Sequence, residues 1–242
     1  MTPSELWACK DSAAWLEAYN CYGDALSLVS ARKGEEKGLR QLDEWMAGEA
    51  GTSFAQKKFM TLEELKKVMR WKITRGKFRP LMRLIEQNSS SEVEEVSKES
   101  FALLREKKFT DALHKITALK GVGVATASAI LGLLAPEEFP FMSDEALELC
   151  ISGGREYTAK AYEPLRETLK KKAAELGKGW TSERVGRAIW ASSILAVPAI
   201  DGRKTALTSK RKAVETNPNY DIVEKTDSKI ESDTTMSKRR RN

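Results

Sequence analysis

The sequence predicts an all-α protein. Apolar residues recur at the three- and four-residue spacing of amphipathic helices along most of the first 200 of its 242 residues. Nowhere do runs of alternating apolar and polar residues flank a hairpin-type turn, the pattern typical of β-strands. Local boundary signals agree, because Thr61 is followed by Glu64 at the spacing of an N-terminal capping box and Gly177 ends a later apolar stripe.

The N-terminal half contains five stretches with helical spacing. The predicted stretches are residues 15–29 with Gly23 as a candidate break, 39–46 ending at Gly48, 62–69 after Thr61, 81–87 opened by Pro80, and 93–104. Asn88–Ser91 is predicted to be a loop, and so are Gly51–Gln56 and Pro136–Met142.

The C-terminal half adds four more helices. Thr110 or Asp111 is a candidate cap for a helix that carries Leu113, Ile116 and Leu119 on one side. A run of small and apolar residues over 125–131 predicts the next helix, and 162–176 another. A last helix begins at Thr181 or Ser182 and continues through Trp190.

Composition excludes several classes of protein. With 41% hydrophobic and 31% charged residues the chain can form a buried core. Its longest apolar stretches, 191–200 and around 129–135, are shorter than the roughly 18 residues that a membrane span needs. No secretory signal is visible, so we expect an intracellular protein without a membrane partner. The single histidine, His114, makes a His-ligated zinc site or a Ser-His-Asp triad improbable, and we assign it no role.

The net charge of +6 is concentrated in the C-terminal tail. Residues 201–242 hold 11 basic and 7 acidic side chains, and residues 1–200 hold 30 and 28. The tail contains few apolar residues, so we expect one folded domain over 1–200 and a disordered basic tail over 201–242. The clusters Lys210–Lys212 and Lys238–Arg241 predict localisation to the nucleus; the alternative is a solvated charged tail.

One segment of the body is strongly basic. Between Leu65 and Ile85 there are eight basic residues and no acid. Trp71 and Phe78 interleave with them, a composition typical of surfaces that contact nucleic-acid phosphates and stack on bases. The alternative is a solvated helix face with Trp71 in the core. The candidate DNA-binding residues of this segment are Lys72, Arg75, Lys77 and Arg79.

The residues most informative about function join two helices over 111–134. Two glycines in the turn permit positive φ angles and a close approach of another backbone. The N-terminus of the second helix presents unpaired amide groups to which an anion can bind, and Lys120 adds a cation. Val122 is expected to be the buried anchor of the turn. The candidate DNA-binding residues of the hairpin are Lys120, Gly121, Val122, Gly123, Ala125 and Thr126.

Residues 119–127 (LKGVGVATA) resemble the helix-hairpin-helix of the HhH-GPD superfamily of base-excision DNA glycosylases. That superfamily follows its hairpin with a Gly/Pro-containing loop and an aspartate. Here Pro136–Ser143 leads into Asp144, which is 21 residues after Gly123. The similarity covers residues 111 to about 154 and implies a single all-helical glycosylase fold over 1–200.

The resemblance also implies roles for individual residues. Asp144 would be the catalytic carboxylate of a DNA N-glycosylase that excises a damaged or mismatched base from duplex DNA as a monomer. Bifunctional members carry a lysine two residues after the second hairpin glycine, and this chain has Ala125 there, so no lyase activity is expected. Candidate wedge or pocket aromatics for base flipping are Trp71, Phe78 and Phe141, although each also suits a core position.

The resemblance implies no required cofactor. Many members bind a monovalent cation, K⁺ or Na⁺, through hairpin carbonyls, and the matching carbonyls belong to Thr117, Leu119 and Val122. The iron–sulfur cluster of some members needs four clustered cysteines, which Cys9, Cys21 and Cys150 cannot supply.

Three alternatives remain open from the sequence. Asp144 or Ser143 can simply be the N-cap of the helix that follows. The chain can be a DNA-binding or scaffold protein that has the glycosylase fold without catalysis. It can also be a helical interaction module whose hairpin is purely structural.

Overall fold

The computed structural model describes residues 1–151 and 155–196, and in these ranges every regular element is helical. The all-α prediction is therefore confirmed. The described α-helices are α1 (Pro3–Ala8), α2 (Ser12–Asn20), α3 (Tyr22–Lys33), α4 (Leu39–Trp45), α5 (Gly51–Lys57), α6 (Leu62–Arg75), α7 (Met82–Ile85), α8 (Ser90–Arg105), α9 (Phe109–Ile116), α10 (Val124–Gly132), α11 (Asp144–Cys150), α12 (Ala159–Leu176) and α13 (Ser182–Ala196).

Two helices organise the packing. Helix α6 contacts α3, α4, α7, α8 and α10, and α13 contacts α1, α2, α3, α11 and α12. The predicted capping box starts α6: the Thr61 hydroxyl accepts the Glu64 amide at 3.3 Å, and the Glu64 carboxylate accepts the Thr61 amide at 2.9 Å. Because α6 is held by neighbours on several sides, the basic residues in its last turn have fixed positions.

The predicted loop at Gly51–Gln56 is wrong, since these residues belong to α5. A π-helical turn, Met46–Ala50, joins α4 to α5 and contains Gly48, the expected helix end. Burial overrides the low helix propensity of glycine here, because Ala50 and Phe54 are fully buried. Gly51 also has a packing role: a β-carbon at this position would lie 2.6 Å from the Leu133 carbonyl oxygen.

Several predicted helix boundaries also differ from the structure. The first helical stretch breaks at Cys21, between α2 and α3, and Gly23 lies inside α3. Helix α8 begins at Ser90, within the predicted loop, because Ser89 supplies its capping box with Glu92. Helix α9 begins at Phe109 without a side-chain cap, before either candidate.

A buried cluster of polar and aromatic side chains joins α3, α4, α6 and α13. The Asp43 carboxylate of α4 accepts hydrogen bonds from the Tyr22 hydroxyl at 2.7 Å and the Trp71 indole at 2.8 Å. Arg75 is 5% exposed, and its guanidinium lies 4.1 Å from the ring centre of Trp190 and 5.2 Å from that of Phe141. Trp71 is therefore a core residue, as the alternative interpretation of the basic segment proposed.

Two sequence predictions concern the C-terminal tail. The tail over 201–242 and the nuclear localisation clusters Lys210–Lys212 and Lys238–Arg241 lie outside the described residues.

Across the described ranges, no helix combines the length and the apolar character needed to cross a membrane.

A close approach of backbones positions the loop before α11. Gly132, the last residue of α10, has no room for a side chain, because a β-carbon there would lie 2.4 Å from the Phe139 carbonyl oxygen. Gly186 in α13 is the matched case, since a β-carbon at this position would have no other atom within 4 Å.

We expect Gly132→Ala to lower the free energy of unfolding by about 1–3 kcal/mol, because the backbone oxygen of Phe139 must move. Gly186→Ala should be neutral or stabilising by up to about 1 kcal/mol, because alanine favours the helix. Urea denaturation followed by circular dichroism measures both changes. Equal effects of the two substitutions would contradict the packing argument.

Candidate functional site

An open cleft of about 620 Å³ brings together the residues that the sequence singled out. Its walls come from the C-terminal end of α6, the hairpin between α9 and α10, the start of α11 and the segment around Tyr157. Each predicted binding, catalytic or cation-site residue lines this cleft except Thr126. Thr126 is fully buried, and its hydroxyl has no hydrogen-bond partner among the described residues.

The backbone geometry of the hairpin depends on its glycines. Gly121 has φ +79°, and a β-carbon there would lie 3.0 Å from Leu84 Cβ and 3.2 Å from the Ile85 amide nitrogen. Gly123 is the extended N-cap of α10, with open space around it. Val122 is 5% exposed, so it is the buried anchor that the sequence predicted.

The hairpin exposes a helix N-terminus to the cleft. The amides of Val124 and Ala125 belong to the first turn of α10, where a helix leaves its donors without intrahelical partners. Neither amide has an acceptor in the described part of the chain. Both residues line the cleft, so donors and helix dipole favour an anion there.

Asn88 holds the hairpin turn through its side-chain amide. Its Nδ2 group donates to the Lys120 carbonyl at 3.0 Å and to the Ile85 carbonyl at 2.9 Å. Its Oδ1 atom accepts the Lys120 amide at 2.8 Å. Asn88 is 3% exposed, so these bonds are shielded from water and tie the hairpin to the segment after α7.

Asp144 is the first residue of α11, and Ser143 is its N-cap. The Ser143 hydroxyl accepts a hydrogen bond from the Ala146 amide at 3.2 Å. Because Ser143 caps the helix, the Asp144 carboxylate is not needed as the cap. That carboxylate is 23% exposed and accepts the Tyr157 hydroxyl at 2.6 Å and the Arg155 guanidinium at 3.1 Å. Burial and the bond to Asp144 raise the pKa of Tyr157, which keeps its hydroxyl a proton donor.

The basic wall of the cleft contains side chains in different environments. Lys77 and Arg79 are exposed, and the Arg79 guanidinium lies 5.4 Å from the ring centre of Tyr157. Lys72 is half-buried, and burial together with the charge of Arg79 lowers its pKa against the opposing effect of Asp144. The structure corrects the interpretation of Arg75, because its guanidinium packs against aromatic rings at the base of the cleft.

The three aromatic candidates lie in different environments. Phe141 is half-buried, lines the cleft and lies 5.1 Å from Trp71, measured between ring centres. Trp71 is 3% exposed and does not line the cleft, so it is a core residue. Phe78 is 68% exposed, so the prediction of a core position for Phe78 is wrong. His114 is exposed and lies outside the cleft.

The hairpin carbonyls can be tested for their fit to a monovalent cation. Thr117, Leu119 and Val122 all line the cleft. The Leu119 carbonyl accepts the Val122 amide at 3.0 Å, and those of Thr117 and Val122 accept no hydrogen bond from the described residues. Each oxygen therefore keeps a lone pair, as a cation ligand requires.

Sequence reasoning missed Asn88, Arg155 and Tyr157. Asn88 lies in a polar stretch that is typical of a loop, and no spacing connects it to Lys120, 32 residues later. Arg155 and Tyr157 follow α11 in a polar segment without periodicity. Their contacts with Asp144 arise only because the chain folds back towards the start of that helix.

We expect Asn88→Ala to lower the free energy of unfolding by about 1–3 kcal/mol, because it leaves the Lys120 amide without its acceptor. Gln87→Ala is the matched control, since the Gln87 side chain is exposed and makes no hydrogen bond within the described ranges. Chemical denaturation of both variants tests the difference. A stability of Asn88→Ala equal to that of the control would show that the clamp contributes nothing.

No protein-family model matches the sequence, and searches of curated proteins and of solved structures find no significant similarity.

Proposed function

We propose that this protein binds DNA and hydrolyses the N-glycosidic bond of a damaged or mismatched base, leaving an abasic site. One observation carries the proposal: Asp144 and the hairpin around Gly121 line the same open cleft. The HhH-GPD resemblance of residues 111–154 implies this pairing of a DNA-gripping hairpin with a carboxylate. An all-helical chain is consistent with it.

The hairpin supplies the grip on the DNA backbone. The free amides of Val124 and Ala125 form the positive end of the α10 dipole, and Lys120 is exposed beside them. Lys77 and Arg79 add further positive charge to the lining of the cleft. Binding would therefore be dominated by phosphate contacts and would depend on salt concentration.

The cleft offers stacking surfaces for a base that leaves the duplex. The rings of Phe141 and Tyr157 line it, and a volume of about 620 Å³ lies in the range of small-molecule sites. Enzymes that act on a base extrude it from the stack and hold it between aromatic or apolar side chains. Phe141 and Tyr157 are suited to that task.

Asp144 supplies the chemistry. Cleavage of an N-glycosidic bond passes through a sugar with oxocarbenium character, and a carboxylate beside C1′ stabilises that positive charge. The same carboxylate can accept a proton from the attacking water. Tyr157 and Arg155 hold its two oxygens, which limits the orientations that the side chain can adopt.

A monovalent cation has a defined place in this proposal. The carbonyls of Thr117, Leu119 and Val122 would hold K⁺ or Na⁺, which would add positive charge where a DNA phosphate approaches the hairpin. The amides of α10 and Lys120 bind the same phosphate independently of the ion.

A second candidate function is DNA binding without catalysis. The hydrogen bonds of Asp144 favour this function, because both of its carboxylate oxygens already accept a donor, one from Tyr157 and the other from Arg155. An ion pair with Arg155 offsets the negative charge that would stabilise the sugar cation. Base release by the isolated protein distinguishes the two functions.

We expect the protein to release a base from at least one duplex in a panel of damaged and mismatched substrates, and Asp144→Asn to abolish release. The amide keeps the shape of the side chain and removes the charge. Asp111→Asn is the matched control, because Asp111 also lies in the first turn of a helix, α9, and outside the cleft. Chromatography of the freed bases measures the reaction. Absence of release from every duplex would favour the non-catalytic function.

DNA binding has its own test. We expect the logarithm of the binding constant to fall linearly with the logarithm of salt concentration, and Lys120→Gln to reduce the slope by about 1. Lys98→Gln on α8 makes the same charge change at an exposed position outside the cleft and should leave the slope unchanged. Fluorescence anisotropy with a labelled duplex gives both slopes. Absent or salt-insensitive binding would favour an interaction module with a structural hairpin.

A further inference from the structure

Arg75 differs from the other buried basic residues in the described part of the chain. Arg166 is 8% exposed and pairs with Glu138 at 3.1 Å. Lys172 is 8% exposed and pairs with Glu175 at 3.1 Å. Arg75 is 5% exposed, and among the described residues its guanidinium makes no hydrogen bond and no ion pair. Its Nε atom is buried and has no acceptor.

The groups around Arg75 do not neutralise its charge. Its guanidinium lies 4.1 Å from the ring centre of Trp190 and 5.2 Å from that of Phe141, and aromatic rings attract a cation without carrying a negative charge. Asp43 belongs to the same cluster, but its Oδ1 atom accepts other donors and its Oδ2 atom is buried without a hydrogen-bond partner. A buried cation without a paired anion is costly, so this site favours a ligand that brings negative charge.

A ligand can reach Arg75 because this residue lines the cleft. Phe141, against which the guanidinium packs, lines the cleft too, and so does Asp144. The cleft therefore combines a carboxylate, which suits a sugar cation, with an unpaired guanidinium, which suits an anion.

Hydrolysis of an N-glycosidic bond produces this pair of charges when the base is neutral. The C1′–N bond breaks, its electron pair stays on the nitrogen, and the base leaves as an anion. A water oxygen forms the new bond to C1′, Asp144 takes the proton that this water loses, and the base anion gains a proton from solvent. We propose that Arg75 stabilises the negative charge on the departing base, so that the cleft takes a neutral base that leaves as an anion.

This inference rests on the proposed function and narrows its substrate class. An alkylated base that already carries a positive charge leaves as a neutral molecule, and Arg75 would repel it before the bond breaks. A base with carbonyl groups on its ring, such as a uracil or thymine derivative, spreads the negative charge onto oxygen atoms. A guanidinium offers several N–H donors to such oxygens, and hydrogen bonds between charged groups are stronger than those between neutral ones.

Binding of free bases tests the charge preference without catalysis. 5-Nitrouracil is largely an anion at neutral pH, whereas thymine has a similar size and is neutral. Isothermal titration calorimetry of the full-length protein measures the affinity for each base. We expect 5-nitrouracil to bind about tenfold more tightly than thymine. Equal affinities, or no binding of either base, would overturn the proposal, and this comparison does not depend on the folding of a variant.

Three variants test whether the preference resides at Arg75. Arg75→Met removes the charge and keeps an apolar chain against the rings, so the preference should be lost. Arg75→Lys keeps a cation and should retain part of the preference. Arg166→Met is the matched control, because Arg166 is buried to a similar degree and lies outside the cleft, so the preference should not change. Circular dichroism shows that each variant is folded, and a full preference in folded Arg75→Met would overturn the proposal.

Base release separates this inference from the proposed function. Arg75→Met should lower kcat for a neutral base by about a hundredfold, and should not slow the release of N7-methylguanine, which is cationic in the duplex. An anion preference at Arg75 without base release from any duplex would support Arg75 and contradict the glycosylase. Release of a neutral base that Arg75→Met leaves undiminished would do the reverse.

Discussion

The relative positions of the segments that form the cleft depend on the buried guanidinium group of Arg75. The Arg75 guanidinium lies within 6.0 Å of the ring centres of four aromatic residues, Tyr22, Trp71, Phe141 and Trp190. These rings come from α3, α6, the loop before α11, and α13, and each such contact contributes about 0.5–2 kcal/mol. Because one side chain contacts all four segments, the end of α6 that carries Lys72 and the segment that leads to Asp144 are held at a defined separation.

The two sides of the cleft contribute different kinds of chemical group. The hairpin side acts through the main-chain amides of Val124 and Ala125, the carbonyls before them and the Lys120 amine, so residue type matters there chiefly at Lys120 and Gly121. The residues that α6 and α11 contribute act through side chains, with Lys72 and Asp144 partly shielded from water. A helix terminus binds phosphate generically, whereas Lys72 has a pKa that burial lowers.

Helical content, the capping box at Thr61 and the anchor Val122 could be predicted because each depends on residues close in sequence. Gly51–Gln56 could not, since Phe54 is helical through long-range burial and Gly51 through contact with Leu133. The residues of the site also divide into those that the local sequence predicts and those that it does not. Lys120 and Asp144 lie in or beside a recognisable pattern, whereas Asn88 and Tyr157 join the site only through tertiary hydrogen bonds. The burial of Arg75 also could not be predicted, because a run of basic residues does not show which side chain points into the core.

The clamp formed by Asn88 has a thermodynamic consequence for ligand binding. Ordering a flexible loop on association costs about 1–2 kcal/mol of backbone entropy per residue. Asn88 and the left-handed Gly121 already fix the turn in the free protein, so its amides are ordered before a ligand arrives. Association at the hairpin is then a rigid-body event, limited by diffusion, orientation and electrostatic steering instead of by a conformational search.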